Sequence, residues 1–443
     1  MRIKEISVKK LFGMFDYTIP LNLDEHITII HGPNGYGKTN ILKLIKASFS
    51  FDLEILHKIP FDKYDLIFDD SSVYSIKKKS ENDPVEIPGF LFIYEKPGKQ
   101  PLIYPGKNGS DKQLDFFPEL LKHEFSIEMI EEIMPNLSRI GRERWIDDRS
   151  GRIISLSQIM KHYNFNLPMN KPEWLENIIE SPPIYFIETQ RLLIIPEEGT
   201  HRSRRINPRK TKVVEKYSEE LSKKIEAKLA ESAELSQKLD STFPNRLLQL
   251  SNNEKLDERY LREELNNLEK RRRKLMDTGL LEKDEGVEIP MGDIDSAKKE
   301  VLSLYINDTE EKLSIFDEMS DKIELMKTII NNHFSYKEMS ISKEKGFVFT
   351  DNNGNIINPS DLSSGEQHQL VLLYAMLFEV NPGSMILIDE PEISLHVAWQ
   401  KDFIRDLQRI AKMVNLDFLI ATHSPQIINE RWKLTVELKG VGE

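Results

Sequence analysis

The spacing of apolar positions changes several times along this chain, and each change predicts a different kind of element. "HITII" (26–30) is a short β-branched run set directly before a cluster of glycines, and "NILKLIKASFSF" after Thr39 has helical spacing. The first forty residues therefore read as strand, turn, strand, glycine loop and helix. "DLIFDDSSVYSIKK" (65–78) predicts a hairpin turning at Asp69–Ser72. Residues 111–180 read mostly as helix, with breaks at Pro135 and Pro168, and "PPIYFIETQ" (182–190) reads as a buried strand ending in polar residues.

From about Val213 the period lengthens. Tyr217, Leu221, Ile225 and Leu229 recur every four residues, and Leu261, Leu265, Leu268 and Leu275 fall at spacings of four, three and seven. A third run holds Leu302, Tyr305, Thr309, Leu313, Phe316 and Ile323, and all three are flanked by dense Glu, Lys and Arg. Amphipathic helices pairing over a narrow seam have this pattern, here interrupted by "STFPNR" (241–246) and "EGVEIPMGD" (285–293). The persistence is too short for a long rod, so a short helical arm is expected, with a bundle packed on the core as the blander form. "YKEMSIS", "GFVFTD", Asn353-Gly354 and "NIIN" then predict a small antiparallel meander. The last hundred residues alternate helix ("GEQHQLVLLYAMLFEV"), strand ("SMILIDE"), helix ("VAWQKDFIRDLQRIAKMV") and strand ("DFLIATH"), the signature of a parallel α/β sheet covered on both faces.

Composition narrows this picture. At 443 residues, two or three folding units are expected, and 39% hydrophobic content with four Trp and 21 Phe suffices for a sizeable core. Charged residues make up 30%, above the usual quarter or so, in keeping with long solvated helices. There are no cysteines, which excludes disulfides and thiolate metal sites and suits a reducing, cytoplasmic compartment. "MRIKEISVKK" lacks the apolar core of a signal peptide, and no apolar run approaches the roughly 18 residues of a membrane span, so no membrane partner is expected. The formal charge of −12 argues against passive coating of duplex DNA. One strip runs against that sum: "HRSRRINPRKTK" (201–212) carries Arg202, Arg204, Arg205, Arg209, Lys210 and Lys212 with no acid, and is a candidate contact for DNA, a DNA mimic or an acidic partner. "KRRRK" (270–274), on the arm, reads more readily as a solvated helix face.

The candidate chemistry begins at Gly32-Pro33-Asn34-Gly35-Tyr36-Gly37-Lys38-Thr39, which fits the phosphate-loop spacing G-x-x-x-x-G-K-[ST]. Glycines there let backbone N–H groups converge on phosphates at a helix N-terminus. Lys38 would bring a point charge to the β- and γ-phosphates and Thr39 a hydroxyl to magnesium, with Gly32, Asn34, Gly35, Gly37 and Asn40 shaping the cradle. A plain glycine turn is the blander reading, and the strand before and helix after oppose it. "MILIDE" (385–390) has four apolar residues and then two acids, as a parallel strand buried on both faces should, with ligands beyond its carboxyl end. Asp389 would hold magnesium through water, and Glu390, pointing to the other side, would polarise the attacking water. Alone, such a strand end is as often a cap. His396 and His423 have no metal-ligand spacing around them.

Leu362-Ser363-Ser364-Gly365-Glu366-Gln367 resembles the signature motif of ABC-type ATPases, usually L-S-G-G-[QE], with Ser364 in place of the first glycine as SMC-like members tolerate. By itself the stretch reads equally as a helix cap, but it precedes "MILIDE" in the superfamily's order. The resemblance implies that Ser363, Ser364, Gly365 and Glu366 serve ATP held by an opposite protomer. Gln190, ending "IYFIETQ", resembles the Q-loop glutamine that joins magnesium and the attacking water. His423, in "LIATHSP", resembles the switch histidine that contacts the γ-phosphate. A surface cap and a strand-end histidine are their blander readings. "SSGEQHQLVLLYAMLF", "IDEPEISLHVAWQ" and "ATHSPQIINERW" are similar to the compact SMC-like ATPases of the OLD group. Within that group they look like ATPases of bacterial anti-phage systems, the AriA type of PARIS first and the PtuA type of Septu and retrons next.

That resemblance implies an α/β, ABC-type (SMC-like) P-loop ATPase head with a β-meander lobe and a helical or short coiled-coil insertion. Its halves would be 1–212 and 333–443, with the insertion at 213–332. It implies ATP and Mg2+ as ligands and ATP hydrolysis as the activity. It further implies assembly of dimer units, up to a hexamer, that hold a separate nuclease. That nuclease would be Toprim-like, of the AriB type, or alternatively HNH, and a phage-encoded trigger that mimics DNA would release it. With the chain ending at Glu443, soon after His423, the nuclease is expected on another subunit. An SMC-like ATPase of DNA repair or DNA-end processing is the alternative, and a transporter motor the third and weakest reading.

Overall fold

The computed structural model describes residues 1–78, 89–106, 137–141, 144–147, 153–155, 171–188, 213–249, 257–282, 295–393 and 395–440. They form an α/β protein of two compact units, one built from Met1–Pro20 and Lys43–Pro183, the other from Leu21–Leu42 and Ile184–Lys439. The chain opens with β1 (Ile3–Leu11), β2 (Phe15–Pro20), β3 (Ile27–His31) and α1 (Lys38–Ser50). It continues with α2 (Leu53–Lys58), β4 (Lys63–Phe68), β5 (Val73–Lys78), β6 (Phe90–Glu95) and β7 (Leu102–Gly106).

In the first unit these strands make a six-stranded antiparallel sheet in the order β2-β1-β4-β5-β6-β7. The expected hairpin is there, with Ile67 opposite Val73 across the turn. Ile3, Ile6, Val8 and Leu11 of β1 are all buried, although gaps of three would put the outer two on the wrong face of a regular strand. Bulges between Ile3 and Glu5 and between Val8 and Leu11 each absorb a residue and return the side chains to the core. Of the stretch 111–180, read mostly as helix, the described residues hold three short antiparallel strands, β8 (Leu137–Gly141), β9 (Arg144–Asp147) and β10 (Ile153–Ser155), and helix α3 (Glu173–Glu180), and the rest of that reading lies outside the described residues. Strands of three to five residues are too short to show a period; cross-strand pairing, absent from any local window, stabilises them.

The second unit continues through β11 (Ile184–Glu188) and four helices, α4 (Val213–Gln249), α5 (Glu258–Asp277), α6 (Ser296–Ser314) and α7 (Asp317–His333). Then come β12 (Lys337–Ser342), β13 (Gly346–Asp351), β14 (Ile356–Ile357), α8 (Ser364–Tyr374), β15 (Met385–Asp389), α9 (Val397–Val414), β16 (Asp417–Ala421), α10 (Pro425–Ile428) and β17 (Thr435–Glu437). The meander has the expected order β12-β13-β14. Five parallel strands in the order β11-β15-β16-β3-β17 carry the unit. The apolar residues of β3, β15 and β16 are 3% exposed or less, as strands covered on both faces require. β11 is an edge strand, so only Ile187 is buried and Ile184–Phe186 are half-buried, short of the fully buried strand the sequence predicts.

The root of the arm is core. Tyr217 of α4 packs on Tyr374 with ring centroids 4.6 Å apart, and Ser218 Oγ both donates to Lys345 O (2.7 Å) and accepts from Phe347 N (2.8 Å). Gly346 makes this approach possible: its φ is +68°, and a Cβ there would lie 2.0 Å from Ser218 O. Farther out, α4 runs straight through the expected break at Pro244. In the turn before it, Thr242 Oγ1 donates to Lys238 O (3.0 Å) and Arg246 Nη2 to Leu239 O (2.8 Å). Arg246 also forks onto Asp308 of α6, which is 6% exposed. On α6, Leu304, Ile306 and Asp308 are buried while Tyr305, expected in the seam, is exposed. "KRRRK" is a salt-bridged helix face, with Arg271 on Asp317, Arg273 on Glu269, and Lys274 on Asp321 (2.6 Å) and Glu324 (2.8 Å). The expected break at 285–293 lies outside the described residues. No described helix is long and apolar enough to cross a membrane.

Candidate nucleotide site

β3 ends at His31, the loop Gly32–Gly37 follows, and α1 begins at Lys38, all at the carboxyl end of the parallel sheet. Gly35 and Gly37 have φ of +90° and +88°, which glycine alone adopts without strain. A Cβ at Gly32 would approach Leu438 O to 3.0 Å, whereas one at Gly35 would meet nothing within 4 Å, so the top of the loop is open space. Lys38 is only 5% exposed; its ammonium donates to two carbonyls of its own loop, Gly32 O at 2.7 Å and Pro33 O at 3.2 Å. Thr39 Oγ1 donates to Asp389 Oδ1 at 3.0 Å, bringing the end of β15 to the start of α1. Asn34 is exposed and Asn40 half-buried.

At the next residue the backbone departs from the ordinary. Glu390 has φ +48°, a left-handed conformation that costs a non-glycine residue about 1 kcal/mol or more. Its N–H donates to Ala421 O (2.8 Å), tying the strand end to β16. Across that junction stands His423, half exposed, with Nδ1 3.1 Å from Glu392 Oε1 and 3.7 Å from Glu390 Oε1. Lys38, Thr39, Asp389, Glu390 and His423 are thus gathered at adjoining strand ends.

Ser363, Ser364, Gly365 and Glu366 are assembled differently. Ser363 caps α8 in a capping box, its Oγ accepting from Glu366 N (3.4 Å) and its N–H donating to Glu366 Oε2 (2.8 Å). Glu366 also accepts Lys337 Nζ on both oxygens, at 2.8 and 2.7 Å. Burial alone would raise its carboxyl, but hydrogen bonds from Lys337 and Ser363 outweigh it and hold the group below the usual carboxylate range. Gln367 Nε2 donates to Ser360 O (2.9 Å) and Leu362 O (2.7 Å), bracing the approach. Among the described residues none of these bonds reaches the phosphate loop or Glu390. Gln190 and the strip 201–212 lie outside the described residues.

The donors suit a magnesium–nucleotide complex. Thr39 and Asp389 offer a hydroxyl and a carboxylate 3.0 Å apart, hard oxygens that magnesium takes one or two at a time beside substrate phosphates. Among the described residues no group of three or more His, Cys, Asp or Glu could hold a metal ion unaided. Two participants escaped the sequence reading: Glu392, within the quoted "IDEPEIS", and Lys337, at the head of the meander. An acid two residues beyond Glu390 was the available signal for the first; nothing local marks the second.

Residues 27–429 match the profile of the family described as "AAA domain, putative AbiEii toxin, Type IV TA system". The chain is also similar to the "Retron Ec83 probable ATPase" of Escherichia coli, 25% identical over 165 residues, a match that spans 30% of this chain and 30% of that protein. Among solved structures it is similar to an Smc head domain from Pyrococcus furiosus with an extended coiled coil, bound to the C-terminal domain of ScpA. That likeness has 15% identity and a TM-score of 0.34, covering 96% of this chain and 91% of that one. The SMC head domain from Thermotoga maritima shares 12% identity with a TM-score of 0.31, covering 97% and 91%.

Proposed function

The chain belongs to this family of AAA-domain proteins, and from that premise we propose that it is an ATP-hydrolysing sensor and scaffold of a bacterial anti-phage defence system, of the AriA type, acting in the cytoplasm. The observation that carries the reading is the contact between Thr39 and Asp389, 350 residues apart in sequence and 3.0 Å apart in space, beside a buried Lys38. A glycine turn or a capped strand end alone would not bring these three groups together. Similarity to a retron ATPase supports the defence setting.

On this reading, bound ATP lays its β- and γ-phosphates against the N–H groups of the loop, and Lys38 exchanges its two loop carbonyls for phosphate oxygens. Thr39, Asp389 and Gln190 would hold Mg2+, which offsets phosphate charge when bound. Glu390 polarises the attacking water, and His423 faces the γ-phosphate. Ser363–Glu366, held apart from this constellation, serve the ATP of a second copy, so the working unit is at least a dimer. Exposed Ile393, Val397 and Trp432 supply apolar contact for that copy. The partners are a separate nuclease, Toprim-like of the AriB type with HNH as the alternative, and a phage trigger that mimics DNA and docks on the strip 201–212. The trigger must favour the releasing state over the holding one, since equal binding to both shifts nothing.

Phage plating with this gene and its neighbour, together and singly, tests the reading. Protection should need both genes and vanish with Lys38→Ala. Protection by this gene alone, or its survival in that variant, overturns it.

A further inference from the structure

Glu392 has no part in the scheme above, yet it is among the most engaged side chains of the site. It sits in the turn Pro391–Ile393, just past Glu390. A single oxygen, Oε1, accepts from Thr422 Oγ1 at 2.8 Å and from His423 N at 3.1 Å on the facing turn, and lies 3.1 Å from His423 Nδ1. The side chain is 9% exposed, and Oε2 is buried with no hydrogen-bond partner among the described residues. Gln400 of α9 closes the other side. Its Nε2 donates to Glu392 O and Leu395 O, both at 3.2 Å, and its Oε1 accepts from Ser424 Oγ at 3.4 Å.

Burying a carboxylate is costly unless hydrogen bonds compensate, and here both hydrogen bonds and the imidazole contact land on one oxygen and on one turn. What they hold is a half-exposed imidazole that would otherwise sample several rotamers. Both groups near His423 Nδ1, the carboxylates of Glu390 and Glu392, are acceptors, so Nδ1 carries hydrogen and Nε2 faces away from them. We propose that Glu392 is the positioning residue of the hydrolysis site, orienting the His423 ring and its tautomer for the γ-phosphate without touching nucleotide itself. The inference rests on the reading of this chain as an ATPase. In the step served, a water oxygen bonds to the γ-phosphorus and the bond to the β–γ bridging oxygen breaks, its electron pair leaving with ADP. The water proton passes to Glu390.

The test is steady-state ATP hydrolysis by the full chain. Wild-type turnover that disappears in Lys38→Ala comes first, because its failure would refute the ATPase reading and not this inference. Glu392→Ala should lower kcat about tenfold or more with KM within about twofold, and should add little in a His423→Ala background. Glu392→Gln, whose amide oxygen can accept the same two hydrogen bonds and face the same imidazole, should recover most of kcat. Should the alanine variant fail to fold, the Gln and Asp variants decide: Asp keeps the charge but falls one methylene short, so it should be the slower. Additive losses with His423→Ala, a rise in KM alone, or an active Asp beside an inactive Gln would overturn the proposal.

Discussion

At Lys38 an ammonium group is almost wholly removed from water and held by two carbonyls of its own loop. Each such charged hydrogen bond contributes about 1.5–3 kcal/mol, so the lysine orders the loop. Lys38→Ala is therefore expected to abolish nucleotide binding, measured by calorimetry. Glu390 is the counterpart. Its left-handed backbone is strain kept at the end of β15, where the proposed mechanism needs the side chain to face the site. Glu390→Gln preserves shape and removes the proton acceptor, so ATP should stay bound while hydrolysis slows about 10²–10⁴-fold in single-turnover assays. Unaltered hydrolysis would remove Glu390 from the mechanism.

Among the elements, α8 depends most visibly on a residue from elsewhere. Its first turn is closed by Ser363 and Glu366, and Glu366 is paired with Lys337 of β12. Because the folded state holds this carboxyl below its usual range, the pair stabilises the fold above the unfolded carboxylate pKa, about 4.3, and that contribution is lost as pH falls through the lower folded value. Lys337→Met leaves a largely buried carboxylate without its cation and should cost about 2 kcal/mol at neutral pH. Thermal melts should show the gap to wild type narrowing below about pH 4; a gap constant with pH would deny the pair this role. The arm makes a related point. The buried Asp308 of α6 pairs with Arg246 of α4, and Arg271, Arg273 and Lys274 of the basic run pair with acids on their own and neighbouring helices.

For the whole molecule, the decisive feature is that the sheet is ordered by pairing and not by chain sequence. β3, near the N-terminus, lies between β16 and β17 from the far end. That order joins the phosphate loop to Asp389 and the turn of His423, while the signature residues form a separate constellation. If Ser363–Gly365 complete a neighbour's site, hydrolysis per subunit should fall on dilution to a demonstrated monomer. A constant rate per subunit sinks the shared site.

Much of this was legible in local pattern: the phosphate loop between β3 and α1, the 65–78 hairpin, the meander at 336–357, and the parallel strands ending at Asp389 and Ala421. Each is a run whose own period or glycine spacing states its backbone, since strand alternation, helical spacing and left-handed turns are properties of adjacent residues. The strands between 137 and 155, the passage of α4 through Pro244, the phase of α6 and the edge position of β11 were not legible, because partners remote in sequence decide them. The same division runs through the site. The sequence by itself determined which residues offer the glycine turns, charges and hydroxyls proposed for phosphate and magnesium. Only tertiary structure decided that Thr39 meets Asp389, that Lys337 holds Glu366 and that Glu392 holds His423, because the free energy of each contact resides in two segments that no local window contains.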